Sequence, residues 1–138
     1  MPKSTIPADA QPLPDPTTKP GRTALAKMIT RLFDRWDLDS REQAALLGLS
    51  SGTRSTVSRY RKGAPLPLHQ DLLDRVGHLL GIHLALRLIF PQNRQLAYRW
   101  VKTPNRRFDG KTPLEVMLGE GFLGVVIVRR YLDFERGR

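Results

Sequence analysis

An all-α fold is predicted by three features of this 138-residue chain. Apolar residues recur at helical spacing along most of its length, start and stop signals divide the pattern into six or seven helical segments, and only Val125 to Val128 hints at a strand. With no Cys anywhere, disulfide and Cys-ligated metal scaffolds are excluded, so a packed helical core has to stabilise a domain of this size.

The elements follow in order. Residues 1–21 hold six of the eleven prolines and, beyond Met1, only Ile6, Ala8, Ala10 and Leu13 as apolar residues, too few to offset ordering entropy, so a disordered Pro-rich arm is expected. From Thr23, taken as the N-cap, Leu25, Met28, Ile29, Leu32, Phe33 and Trp36 mark an amphipathic helix. A second helix is expected from Ser40, where Ser40 and Gln43 have capping-box spacing, to Gly48. Gly52 opens a third, running through Val57 and Tyr60 to Gly63, and Pro65 and Pro67 prevent its continuation. Leu68–Phe90 is too apolar all round for a surface helix and predicts a central buried element, bent or broken near Gly77 and Gly81 and ended by Pro91. Asn93–Lys102 predicts a further helix, followed by a polar loop over 103–111. Thr112-Pro113-Leu114-Glu115 combines an N-cap, Pro at the first helical position and Glu at the third, starting a helix that reaches Leu118. Gly119–Gly121 should form a hinge before a last helix from Phe122 to about Glu135.

The formal net charge of +10 is concentrated in two blocks. Residues 41–63 set Arg41, Arg54, Arg59, Arg61 and Lys62 against Glu42, and residues 94–111 set Arg94, Arg99, Lys102, Arg106, Arg107 and Lys111 against Asp109. A polyanion is the expected partner of at least one block. The longest apolar stretches are too short to span a bilayer and the N-terminus lacks an apolar h-region, so a cytoplasmic chain without membrane contact is expected.

Catalytic patterns are missing from the sequence. Of the histidines His69, His78 and His83, the last two fall about 140° apart on a helix and cannot make a two-ligand face. There is no H-E-x-x-H, Gly-rich phosphate loop or G-x-S-x-G, and Asp71 and Asp74 read as solvated acids near a helix start. No catalytic residue, metal ligand or cofactor is therefore expected, nor enzyme activity.

Residues 40–63 arrange a short helix, a Gly48-Leu49-Ser50 turn and a helix with Val57 flanked by hydroxyls and guanidinium groups. This resembles the helix-turn-helix of the Xre repressor family, in which the second helix enters the major groove. Ser50 to Val57 is about three residues longer than the usual turn allows. Ser55, Thr56, Ser58 and Arg59 are the candidates for base edges, and Arg54, Arg61 and Lys62 for phosphates.

Leu86-Arg87-Leu88-Ile89-Phe90-Pro91, then Trp100-Val101-Lys102-Thr103-Pro104-Asn105, then Gly110-Lys111-Thr112-Pro113-Leu114-Glu115 with Gly119-Glu120 and a final apolar helix, resembles the toxin-binding domain of the Xre/MbcA/ParS antitoxin family. The resemblance implies an antitoxin of a type II toxin–antitoxin pair, with a helix-turn-helix DNA-binding region over 22–67 and a toxin-binding and dimerisation domain over 68–138. It further implies a RES-domain toxin as partner, which consumes NAD or transfers ADP-ribose, neutralisation by occlusion of its active site, and repression of the antitoxin's own operon. A homodimer on two-fold operator DNA is expected. Toxin contacts are placed at the exposed end of the last helix, on Arg129, Arg130, Tyr131, Phe134, Arg136 and Arg138. The competing reading is a stand-alone helix-turn-helix regulator whose C-terminal half only dimerises or senses a ligand.

Overall fold

The computed structural model describes residues 12–50 and 54–137, and among them every regular element is helical. Seven α-helices follow one another: α1 (Lys19–Arg35), α2 (Ser40–Leu46), α3 (Arg54–Arg61), α4 (Gln70–Ile89), α5 (Arg94–Arg99), α6 (Pro113–Glu120) and α7 (Phe122–Arg136). Short 3₁₀ turns at Trp100–Lys102 and Arg106–Phe108 join α5 to α6.

Helix α1 starts earlier than expected, because the Thr18 side chain, not Thr23, accepts the Gly21 N–H at 3.0 Å and Pro20 fits the first turn. The last part of the expected disordered arm is thereby ordered. Asp15 accepts from both the backbone N and hydroxyl of Thr17, and Arg22 reaches back to the Pro16 carbonyl and across to that of Leu66. Residues 1–11 lie outside the described residues.

The capping box of α2 is shifted by one residue from Ser40/Gln43 to Asp39/Glu42, with reciprocal bonds of 2.8 and 2.9 Å. The reason is tertiary: Gln43 is buried and its amide donates to the Leu38 carbonyl at 2.8 Å, so it is not available to cap. Gly48 then ends the helix with φ +71°, a left-handed turn that favours glycine.

Helix α4 is one unbroken 20-residue helix, in place of the bent element expected at Gly77 and Gly81. Val76, Leu79, Leu80, Ile82, Ala85 and Leu86 are buried on several sides of it because α1 and α5 pack on it from one part of the molecule and α7 from another. A Cβ at Gly81 would strike the Arg129 guanidinium, so the glycine makes room for a side chain of α7 instead of bending the backbone. The capping box at Thr112 and Glu115 is present with both bonds at 3.0 Å, and these bonds hold the exposed Glu115 carboxyl below its usual pKa. The hinge narrows to Gly121 (φ +62°), from which α7 folds back against α6, and Val125–Val128 is helical. Gly124 is buried where the two helices meet, beside the backbone of Val116 and Met117.

A continuous apolar core runs from Leu25 in α1 through α4 to Leu132 in α7. Arg35 over the Tyr98 ring and Lys102 beside Asp37 tie the N-terminal helices to the C-terminal part at its surface. Among the described residues no helix is long and apolar enough to cross a membrane.

Candidate nucleic-acid and partner-binding faces

At one end of the bundle, α3 is held by the burial of Val57 and Tyr60 against α1 and α2. At 100° per residue this inward pair directs Ser55, Ser58, Arg59 and Lys62 to the opposite side. Ser55, Arg59 and Lys62 are exposed, Ser58 is half-buried, and Arg54 is exposed at the helix start. Thr56 lies at the flank, half-buried, its hydroxyl 3.4 Å from the Arg59 guanidinium. Arg61 reaches back to the scaffold, making a 2.7 Å ion pair with Asp34 of α1 and donating a 3.3 Å bond to the side-chain amide oxygen of Gln43. Arg54, Ser55, Arg59 and Lys62 are thus on open surface, Ser58 is half-buried on the outward face, Thr56 lies at the flank, and Arg61, itself exposed, also fastens α3 to α1 and α2. The long turn expected at Ser51–Arg54 falls largely on residues 51–53, outside the described residues.

The last helix divides its predicted contacts in a similar way. Arg129 lies across α4, 3.4 Å from the Gly77 carbonyl, 3.3 Å from His78 Nδ1 and 3.8 Å from Asp133 of its own helix. Burial, reinforced by this guanidinium, lowers the His78 pKa against the opposing pull of Asp74 and Asp133. Tyr131 is half-buried, stacked on Trp100 at 6.2 Å and edge-on to Phe108 at 5.3 Å, so it anchors the 100–108 segment onto α7. Arg130, Phe134 and Arg136 are exposed, and Arg138 lies outside the described residues.

Two residues absent from the sequence-based site complete the face. Leu123 is 59% exposed, Ile127 38% and Phe134 63%, and with Arg130 they recur at i, i+4, i+7 and i+11, a single stripe along α7. Val125, Val128 and Leu132, which are buried, lie on the opposite side of the same helix. The helix is therefore apolar on two faces and only one of them is covered. This spacing is legible in the sequence, but the unbroken apolar run from Gly121 to Val128 masks it.

Two separate faces thus stay open, the basic, hydroxyl-bearing side of α3 and the apolar stripe of α7. Residues 21–81 match the antitoxin Xre-like helix-turn-helix domain and residues 85–138 match the antitoxin Xre/MbcA/ParS C-terminal toxin-binding domain, leaving only 82–84 between them. A protein of Sinorhizobium fredii, named uncharacterized protein y4oB, is 40% identical over 108 residues, covering 78% of this chain and 80% of the relative. The chain belongs to the Xre/MbcA/ParS family of antitoxins, with an N-terminal helix-turn-helix DNA-binding domain and a C-terminal toxin-binding domain.

Proposed function

We propose that this antitoxin acts in the cytoplasm, without catalysis of its own, by binding a RES-domain toxin and occluding the pocket in which that toxin consumes NAD or transfers ADP-ribose. The carrying observation is the uncovered stripe of Leu123, Ile127 and Phe134 within the toxin-binding domain. Completing the burial of a fully exposed side chain of this kind is worth about 1.5 to 3 kcal/mol, and these three are already partly covered, so the stripe supplies an apolar anchor that other contacts must supplement. Arg130 in the stripe and Arg136 beyond it supply positive charge for an acidic residue at the pocket mouth. The same chain represses its own operon as a homodimer, with two copies of α3 about 34 Å apart on a two-fold site.

The test is co-expression with the adjacent reading frame, followed by co-purification and an assay of NAD consumption. The full chain is expected to co-purify and block NAD loss, and a chain lacking Phe134–Arg138 to restore it. Full inhibition by the truncated chain at equal complex formation overturns occlusion by this end. A neighbour that neither co-purifies nor consumes NAD overturns the RES assignment.

A further inference from the structure

A half-open cavity of about 380 Å³ between α1, α4 and α5 belongs to neither the DNA-facing helix nor the α7 stripe. Met28, Leu32 and Leu80 give it an apolar floor, and Tyr98 and His83, stacked on each other at 5.5 Å, line its wall. Three guanidinium groups stand around it: Arg31 and Arg35 from α1, and Arg94 from the first turn of α5. The arrangement follows from helical spacing, since residues 28, 31, 32 and 35 share one face of α1, and 94 and 98 share one face of α5.

Among the described residues no carboxylate lines the cavity, and Arg31, Arg35 and Arg94 make no ion pair. Arg35 is instead held over the Tyr98 ring at 5.4 Å. Three like charges converging on an apolar concavity repel one another and are relieved by an anion, and guanidinium forks match phosphate oxygens in geometry. The volume is near the lower end of small-molecule sites, about 300 to 1,000 Å³, and a concavity of that size cannot take a duplex. The floor offers little to a bare phosphate but suits a flat apolar ring, on which a guanidinium plane can also stack. We propose that this cavity binds a small organic phosphate carrying a planar aromatic group, of mononucleotide size.

Calorimetric titration of the full-length chain tests this with AMP and 1-naphthyl phosphate as probes, against adenosine, 1-naphthol and inorganic phosphate. At least one aromatic phosphate is expected to saturate one site per chain, about tenfold or more tighter than either of its halves. An Arg31→Gln, Arg94→Gln variant should weaken it by about tenfold or more, while Arg54→Gln, Lys62→Gln leaves it unchanged. Both rim residues are exposed, so the fold should persist, as checked by circular dichroism; if the double variant unfolds, Arg94→Gln alone is read against the same tenfold criterion. Three results overturn the proposal: neither probe binding more tightly than inorganic phosphate, several weak sites per chain, or affinity insensitive to the rim variant. A cavity reserved for a partner's acidic side chain would give the first of these, and a general basic surface the second or third.

Discussion

Helices α3 and α7 each bury one stripe and leave the other side open, but what they leave open differs in kind. The outer side of α3 is hydroxyl and guanidinium, with Ser55, Ser58, Arg59 and Lys62, whereas that of α7 is Leu123, Ile127 and Phe134 with Arg130 among them. A charged face gains affinity by releasing counterions and weakens steeply with salt, whereas an apolar face gains from surface removed from water and is far less sensitive to salt. One face therefore suits a polyanion and the other a folded protein, and the two should be separable by mutation even though a single core supports both.

The largest expected effect is on the apolar face. Leu123→Asp, Ile127→Asp should reduce toxin affinity by about 3 kcal/mol or more, since the change puts two charges in place of two of the three apolar side chains of the stripe, and leave operator affinity within experimental error. Calorimetry on the pair and a gel-shift titration check the two halves, and a parallel loss of DNA binding would break the separation. Next comes the support of that face. Gly124→Ala places a Cβ against the backbone of Val116 and Met117, forcing α6 and α7 apart, and is expected to cost about 1 to 3 kcal/mol in denaturant unfolding. Gly81→Ala should cost less, because the group displaced is the flexible end of Arg129.

On the charged face, Arg59→Ala should weaken operator binding by about 1 to 3 kcal/mol and relax specificity where it meets a guanine. Lys62→Ala should weaken binding to all sequences and flatten the salt slope by about one unit. Arg61→Ala provides the contrast. Its guanidinium pairs with Asp34, so the expected outcome is a stability loss of about 0.2 to 1 kcal/mol with little change in slope; a full unit of slope would return Arg61 to the phosphate contacts.

The smallest effect is on pH. The folded-state pKa of His78 lies below its ordinary value, so the unfolded chain binds the proton more readily. Stability is complete above the usual histidine pKa of about 6.5 and declines as pH falls through the folded-state pKa. Unfolding curves at pH 7.5 and 5 should differ less for His78→Gln than for the parent chain, and an unchanged difference would remove this residue from the account.

Local signals were legible where the competing choices were few. Thr112, Pro113 and Glu115 agree on one helix start, and the capping box forms there. Asp39-Ser40-Arg41-Glu42-Gln43 offers two registers of the same motif, and the burial of Gln43 against Leu38 selects the other one. Gly77 and Gly81 signal a weak point in an isolated helix, but packing on both sides of α4 removes it, since the cost of an interior glycine, about 1 kcal/mol, is small beside the burial of the leucines around it.

The sequence by itself determined the helical class, the order of the elements, the two-part organisation and the basic character of α3, because each depends on periodicity, capping chemistry or motif order within a few residues. Tertiary structure decided which basic and apolar side chains remain free. Arg129 and Arg61 read alike in the chain, yet one fills the space beside Gly81 and the other stays exposed while pairing across to α1; Leu123 and Ile127 are as apolar as Val125 and Val128, yet among the described residues no helix covers them. Hydropathy and charge give what a residue would prefer to contact, and only the placement of the neighbouring helices decides whether that contact is already made within the chain or remains for a partner.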